Sequence, residues 1–149
     1  MKVIAQNKKS TREFHVLEKF EAGIVLVGTE VKSIRAGKVQ LGDAFVQIQD
    51  ETPWLVRAHI AEYAQGTWTN HMVTRKRKLL LHKREIRRLR GKVDEKGLTL
   101  IPLKMYLNDR GLVKVEIALG RGKRSHDKRE DIKKRDAARD IQRAMRRGN

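Results

Sequence analysis

Two neighbouring segments, residues 98–107 and 112–119, alternate apolar and polar side chains, and this pattern limits the fold more than any other feature. A period of two is the side-chain repeat of a β-strand. The four residues between the segments, at positions 108–111, are Asn, Asp, Arg and Gly, which is typical of a tight turn. The pattern therefore predicts a β-hairpin with two facing rows, Ile101, Leu103, Met105 and Leu107 against Val113, Val115, Ile117 and Leu119.

The same alternation recurs earlier in the chain. Residues 14–27 predict one long strand, and residues 45–49 and 54–60 predict two shorter ones. Gly23 lies inside the first run and predicts a bulge or bend there. The expected apolar faces are Phe14, Val16, Phe20, Ala22, Ile24 and Leu26 in the first strand, Ala44, Val46 and Ile48 in the second, and Trp54, Val56, Ala58 and Ile60 in the third.

Two segments have helical features. Thr29 is a candidate cap for a short helix, with Glu30 in its first turn and Gly37 just past its end. Within residues 74–97, a second helical face is indicated by side chains that recur at steps of three and four: Leu79, His82, Ile86, Leu89 and Val93.

The second helix has two possible starts. It begins either near Arg75 or after His82, which would act as a weak cap with Glu85 three residues on. The later start is favoured; it leaves residues 79–81 extended and has Gly91 ending the helix. Residues 62–72 are polar and predict a loop.

These elements predict a mainly β fold with short helices. Several short strands around an inserted helix favour a small antiparallel barrel of the oligonucleotide-binding kind, which also removes exposed sheet edges. At 149 residues the chain has room for one such domain and a tail. We place the domain at residues 1–120 and a basic C-terminal tail at residues 121–149.

The charge of the chain points to an anionic partner. It has 35 Lys and Arg residues against 18 Asp and Glu residues, a formal net charge of +17. Such a surplus opposes a compact state by self-repulsion, and an anionic partner relieves it. Nucleic acid is favoured as that partner; a solvated basic surface or one that binds acidic lipid is the alternative. The densest stretch is residues 75–90, in which Glu85 is the sole acid and the bases are Arg75, Lys76, Arg77, Lys78, Lys83, Arg84, Arg87, Arg88 and Arg90.

This basic stretch has two interpretations. It is either a solvated helix face or a surface that follows RNA phosphates, and its charge density favours the second. If Leu80 lies on the helix, it shares a face with Lys83, Arg87 and Arg90, where it could pack on a ribose or base. Placement of Leu80 in the core fits the spacing nearly as well.

The sequence offers no basis for catalysis. There is no cysteine, the five histidines have no metal-ligand spacing, and no serine lies in a nucleophile motif. We therefore predict no enzyme activity, no metal and no cofactor. No signal peptide or apolar stretch of membrane-spanning length is evident, so we expect a cytoplasmic protein without a membrane partner.

The C-terminal tail combines high charge with few apolar residues. Residues 121–149 hold twelve Lys and Arg residues and five acids. Such a segment cannot bury enough surface to order itself. The spacings Glu130 to Lys134 and Asp131 to Arg135 support a helix. We expect a tail that is disordered alone and helical when a partner neutralises it.

Two residues stay ambiguous from composition alone. Glu30 is either a carboxylate that reads a nucleobase or a residue placed to suit the helix dipole. His126 is either a ring that stacks on a base or an inert residue of the tail.

Several segments carry information through their order and spacing. They are NKK at 7–9, EAG at 21–23, GTEVKS at 28–33, RAGK at 35–38, RKLLLHKREI at 77–86 and HDKR at 126–129. Taken together, they resemble the SmpB family, the SsrA-binding or transfer-messenger-RNA-binding proteins. The resemblance implies an oligonucleotide-binding-like barrel that binds the tRNA-like domain of transfer-messenger RNA. It also implies delivery of that RNA to stalled ribosomes for trans-translation, with the tail helical on the ribosome, in the decoding centre and the empty mRNA channel.

The same resemblance implies roles for particular residues and a monomer that binds the RNA one to one. Two other functions stand beside ribosome rescue. The alternative is that of a structural ribosomal RNA-binding protein, and the third is that of an RNA-modifying or RNA-cleaving enzyme. The implied RNA-binding residues are Asn7, Lys8, Lys9, Glu30, Lys78, Leu80, His82, Lys83 and Arg84. The implied decoding-centre and tail residues are Gly122, Lys123, Arg124, His126, Asp127, Lys128 and Arg129.

Overall fold

The structure, a computed structural model, describes residues 1–64, 70–94 and 98–123. Its helices are α1 (Lys8–Glu13), α2 (Gly28–Arg35) and α3 (Lys83–Val93). Its strands are β1 (Lys2–Gln6), β2 (Phe14–Ile24), β3 (Val39–Gln40), β4 (Phe45–Gln49), β5 (Thr52–Val56), β6 (His59–Ile60), β7 (Arg77–Leu80), β8 (Leu98–Leu107) and β9 (Val113–Gly122).

The main sheet is a near-closed ring of antiparallel strands. The order of pairing is β8, β4, β5, β7, β2 and β9, and β9 pairs again with β8, while β1 lies on the outer edge of β8. A small second sheet pairs β3 with β6. The predicted mainly β, antiparallel fold with short helices is thus confirmed. No helix within the described ranges is both long and apolar enough to cross a membrane.

The interior of the ring holds one apolar core to which nearly every element contributes. Ile34 of α2 and Leu89 of α3 are fully buried in it, so both helices pack onto this core. The strand residues at its centre are Ala22, Leu55, Leu79, Leu100, Met105, Val115 and Ile117.

The predicted hairpin is confirmed as β8 and β9, with its turn where expected. The Asn108 Oδ1 atom accepts hydrogen bonds from the backbone N–H groups of Arg110 at 3.0 Å and Leu112 at 2.9 Å. Gly111 has φ of 76°, a conformation that glycine adopts at little cost. Short polar residues and a glycine at these positions therefore specify the turn.

The predicted apolar face of β8 is correct over only part of its length. Pro102 pairs with Ile117 and Lys104 with Glu116, so Leu103 is an extra residue in β8. Such a bulge exchanges the two faces of a strand. Leu98 and Leu100 face the core before it and Met105 after it.

Strand β2 also contains a bulge, at a position that the sequence did not indicate. The register shifts between Val16 and Glu18, whereas Gly23 pairs regularly with Leu80 and Lys114. The bulge predicted at Gly23 is therefore wrong. A Cβ atom at Gly23 would lie 3.2 Å from the Leu80 Cβ atom, so this glycine permits the close approach of β7.

The apolar face predicted for residues 54–60 is wrong in its first half. Pro53 and Leu55 face the core, and Trp54 lies only partly buried on the other face. Arg57 has φ of 64°, which turns the chain and places Ala58 in the core next to it. A single left-handed residue therefore changes which alternate positions point inward.

The predicted helices are confirmed, with differences at their ends. The Glu30 Oε1 atom accepts a hydrogen bond from Val27 N–H at 2.9 Å, so the cap of α2 is at Val27 and not at Thr29. Gly37, with φ of 77°, follows the helix as expected. The later start of α3 after His82 is confirmed, but the helix continues through Gly91 to Val93.

The N-terminal elements β1 and α1 were not predicted, and Asn7 joins them to the main sheet. Its side chain is 2% exposed. Its Nδ2 atom donates to the carbonyl oxygens of Leu41 and Pro102, each at 3.0 Å, and its Oδ1 atom accepts from Ser10 N–H at 3.1 Å. Asn7 is thus both the cap of α1 and a bridge between three separate segments.

We expect Asn7→Ala to destabilise the protein by about 1–3 kcal/mol, because the buried carbonyls and the first turn of α1 lose their partners. The measurement is the free energy of unfolding from urea titration. Gln6→Ala is the matched control, since Gln6 is exposed on β1 next to it. Equal stability of the two variants would contradict the anchoring role of Asn7.

Candidate RNA interface

The basic run at residues 75–78 is not a uniformly exposed surface. It leads into β7, and alternation along the strand directs Arg77 into the protein while Lys76 and Lys78 remain exposed. Leu80 follows on the same face as Lys78 and is 51% exposed. One strand therefore contributes both a buried cation and an outward row that ends in an apolar side chain.

Arg77 is held by a buried ion pair with Glu30, and both side chains are 0% exposed. The same guanidinium donates to the carbonyl oxygens of Ala58 and Val73, each at 3.0 Å. Arg75 lies at the edge of this cluster, where its Nη2 atom is 2.5 Å from Glu30 Oε1. One carboxylate thus accepts from two guanidinium groups.

The surroundings of the pair keep both groups charged. Burial by itself would raise the pKa of Glu30, but hydrogen bonds from Arg75, from Val27 N–H and from Arg77 outweigh it and lower the pKa below its ordinary value. Burial lowers the pKa of Arg77, and the Glu30 carboxylate opposes that shift. The cluster is therefore an anion bound by two cations at neutral pH.

Two of the expected RNA-contact residues lie inside the protein and not on its surface. The Glu30 carboxylate is fully buried and accepts hydrogen bonds from Arg75, Arg77 and Val27. The Asn7 side chain is buried with its amide hydrogen bonds made inside the protein. Both residues support the fold on which the basic surface is built.

A groove lies between β7, α3 and the turn that joins β4 to β5. Its volume is ≈ 360 Å³. Leu80 and Lys78 line it from the strand, and Lys83, Arg87 and Arg90 line it from the helix. Leu80 is on a strand and not on the helix, yet it shares this groove with the three helical cations because α3 folds back beside β7.

The cations around the groove differ in whether they are neutralised. Arg90 Nη1 lies 3.2 Å from Glu51 Oε1, and Arg88, on the same helix, pairs with Glu18. Within the described part of the chain, Lys78, Lys83 and Arg87 have no such acidic partner. An exposed leucine surrounded by uncompensated cations suits a ligand with phosphates and an apolar ring or sugar face.

The other predicted contacts fall in two places. His82, Lys83 and Arg84 are exposed at the start of α3, beside the groove. Lys8 and Lys9 lie on α1, where Lys8 lines a separate cavity of ≈ 240 Å³ and Lys9 Nζ is 3.2 Å from Asp43 Oδ1. The structure thus brings the residues around β7 and α3 together but does not bring the α1 lysines into the same groove.

The predicted decoding-centre and tail residues are described only at their start. Gly122 ends β9 opposite Phe14, and Lys123 N–H donates to Glu13 O at 2.8 Å. The sheet thus extends past residue 120, the expected end of the domain. Arg124, His126, Asp127, Lys128 and Arg129 lie outside the described residues.

The groove also includes residues that were not among the predicted contacts. Arg87 and Arg90 belong to it; their spacing from Lys83 had placed them on one helical face of the basic stretch, but the family resemblance did not assign them as contacts. Thr52 and Pro53 belong to it through pairing of β5 with β7, which no local pattern reveals. Among the described residues no group of three or more histidine or acidic side chains could hold a metal ion.

Similarity to known proteins extends over nearly the full chain. The family profile described as "SmpB protein" matches residues 4–147. The SsrA-binding protein of Acidothermus cellulolyticus is 57% identical over 144 residues, which cover 97% of this chain and 90% of that protein. The SsrA-binding protein of Trichormus variabilis is 59% identical over 145 residues, which cover 97% of this chain and 93% of that protein.

A solved structure gives the same relationship. It is described as "tmRNA-SmpB: a journey to the center of the bacterial ribosome". One of its chains superposes with a TM-score of 0.68 at 49% sequence identity and covers 85% of this chain and 92% of its own length.

We expect Glu30→Gln to lower the free energy of unfolding by about 3–5 kcal/mol at pH 7, because it leaves the buried Arg77 cation uncompensated. Since the folded pKa of Glu30 is lowered, its contribution is present above the ordinary value of 4.5 and is lost as the pH falls below it. The difference between parent and variant should therefore shrink in acid. Urea titrations across this range measure it, and Glu18→Gln, at the exposed pair with Arg88, should cost less than about 1 kcal/mol.

Proposed function

The chain belongs to the SmpB family, and we propose on that premise that it binds SsrA RNA, the transfer-messenger RNA, and delivers it to stalled ribosomes for trans-translation. The protein acts by binding and not by catalysis. The observation that carries this proposal is the groove in which Leu80 is exposed between Lys78, Lys83 and Arg87. Its target there is the tRNA-like domain of the RNA.

The groove supports RNA binding through two physical effects. Lys78, Lys83 and Arg87 would replace the counterions of backbone phosphates, which gives affinity that is largely independent of sequence. Leu80 would pack against a ribose or an unstacked base and exclude water from the contact. His82 and Arg84 at the start of α3 extend the same surface, and Lys8 and Lys9 form a second contact area.

The architecture supports a division between a body and a tail. The near-closed ring with β1 at its edge is an oligonucleotide-binding-like barrel in this proposal, and residues 1–120 supply the RNA-binding domain. Residues 121–149 form the tail, and the part of it beyond Arg121 and Gly122, which pair with β2, enters the decoding centre and the empty mRNA channel, where charge neutralisation lets it fold as a helix. Gly122, Lys123, Arg124, His126, Asp127, Lys128 and Arg129 begin that segment. The protein works in the cytoplasm as a monomer with one RNA.

Arg87→Ala should weaken binding to the tRNA-like domain and reduce the slope of log affinity against log salt by about one, because one phosphate contact is lost. Arg88→Ala is the matched control: it removes the same charge from the same helix, but from a residue already paired with Glu18. Filter binding at several salt concentrations measures both. Equal effects of the two variants would show that net charge alone, and not the groove, sets the affinity.

Leu80→Ala should weaken binding to the tRNA-like domain by about 1 kcal/mol, because a half-exposed leucine loses the burial that the RNA provides. The salt slope should stay unchanged, since no charge is removed. The stability of the free protein should also change little. A parent-like affinity for the tRNA-like domain would place the RNA elsewhere on the barrel.

A chain that ends after Lys123 should keep the fold and the RNA affinity but lose peptide tagging on ribosomes stalled at the end of a message. Truncation at this residue, and not at 120, retains the pairing of Arg121 and Gly122 with β2. Ile132→Pro should reproduce the tagging defect in the full chain, because proline breaks a helix interior at about 3 kcal/mol. Normal tagging by Ile132→Pro would contradict a helical tail, and loss of RNA binding by the truncated chain would contradict the division.

A further inference from the structure

The outer face of β4, β5 and β7 is a second feature of the barrel that fits RNA. We propose that Trp54 and Phe45 on this face form a stacking platform for unpaired nucleobases, next to the groove that holds Leu80. The inference rests on the proposed RNA-binding function and extends it, since it assigns a ligand of a particular kind, single-stranded RNA, to a surface outside the groove.

Strand register places the two aromatic side chains on one face. Trp54 pairs with Gln47, and Phe45 pairs with Val56, so alternate residues of β4 and β5 point the same way. Pro53 and Leu55, which alternate with Trp54 along β5, are buried. Their face of the sheet is therefore the one toward the core, and the face that carries Trp54 is the outer one. Trp54 and Phe45 are each only partly covered.

Cations lie over both rings. The Lys76 Nζ atom is 5.0 Å from the centre of the Trp54 ring, and Lys76 also donates to Gln49 Oε1 at 2.7 Å. The Arg57 guanidinium is 5.7 Å from the centre of the Phe45 ring. A cation held over an aromatic ring is attracted to the face of that ring. Each ring therefore has a positive charge within reach.

The charge of this face suits the RNA backbone. Its outward positions in β4, β5 and β7 include no acid and consist of Phe45, Gln47, Gln49, Thr52, Trp54, Val56, Lys78 and Leu80. Aromatic rings interleaved with cations on a sheet surface are the usual means of binding single-stranded nucleic acid. Lys76 can leave the Trp54 ring for a phosphate as a base takes its place, so the ring and the charge both gain a partner.

The platform is continuous with the groove. Lys78 pairs with Trp54 across β5 and β7, and it also lines the groove beside Leu80. An RNA strand whose phosphates follow Lys83 and Lys78 would thus present its next bases to Trp54. Unpaired bases of this kind occur in SsrA RNA itself and in ribosomal RNA, and the stacking chemistry is the same for both.

Tryptophan fluorescence tests the platform directly. Trp68→Phe leaves Trp54 as the sole tryptophan of the chain, which has two. We expect a single-stranded oligouridylate to quench Trp54 fluorescence and a duplex RNA of equal length to leave it nearly unchanged. Quenching by purified SsrA RNA would assign the base to that RNA, and quenching that appears only with small ribosomal subunits would assign it to ribosomal RNA.

Affinity provides the second readout. Trp54→Leu keeps an apolar side chain but removes the ring, and it should weaken oligouridylate binding by about 5- to 150-fold, the range for loss of one base–aromatic stack. Tyr63→Leu is the matched control, because Tyr63 also has a lysine over its ring, Lys32 at 5.1 Å, but follows β6 and lies outside this face. The control should bind like the parent.

The outcomes separate this inference from the proposed function. Absence of quenching by any single-stranded RNA overturns the platform, and this result needs no variant at position 54. The platform is also overturned if oligouridylate quenches Trp54 fluorescence but binds Trp54→Leu as tightly as it binds the parent. The parent protein could instead bind SsrA RNA no better than unrelated structured RNA while oligouridylate still quenches Trp54 fluorescence. That result counts against the proposed function and leaves the platform standing.

Discussion

The buried ion pair between Glu30 and Arg77 is the interaction on which the functional surface depends. Glu30 belongs to α2 and Arg77 to β7, and the guanidinium also holds the carbonyl oxygens of Ala58 and Val73. One side chain therefore connects a helix, the link after β5 and the segment before β7. Because a buried charge without a partner is very costly, each of these segments is restrained by the others. The resulting path of β7 determines where the side chains of Lys78 and Leu80 reach the protein surface.

In a strongly basic chain, some cations stabilise the fold and others remain on the surface to bind a partner. Here the alternation of side chains along β7 determines which cations do which. Arg77 points inward to the Glu30 carboxylate, whereas Lys76 and Lys78 point outward on either side of it in sequence. Helix α3 then adds its own cations beside β7, and two of these are offset by acids, Arg88 by Glu18 of β2 and Arg90 by Glu51 of the turn between β4 and β5. Lys78, Lys83 and Arg87, which stay uncompensated, face the groove, where RNA phosphates would stabilise them. In the proposed function, stability and RNA binding thus draw on different members of one basic run.

The groove and the aromatic face share Lys78, and in the proposed function they form one surface that would bind two forms of RNA. Cations on a helix suit the regular phosphate spacing of a folded RNA. Aromatic rings on an open sheet face suit bases that have no pairing partner. Gly23 contributes to this outer surface, since its missing side chain lets its partner Leu80 on β7 pack closely against β2. The near-closed ring of strands keeps both surfaces in fixed relation.

The sequence by itself determined the features that depend on neighbouring residues. The hairpin of β8 and β9 with its Asn108 turn, the start of α3 after His82 and the strand at residues 45–49 all follow from local periodicity and capping. Local patterns gave no sign of the bulges at Leu17 and Leu103 or of the left-handed backbone at Arg57. Each of these three features nevertheless reverses which alternate residues face the core. The burial of Asn7 and Glu30 was equally hidden, because their partners lie tens of residues away. Only the closed tertiary structure decided these points, since a side chain's surroundings depend on strands that meet in space and not in sequence.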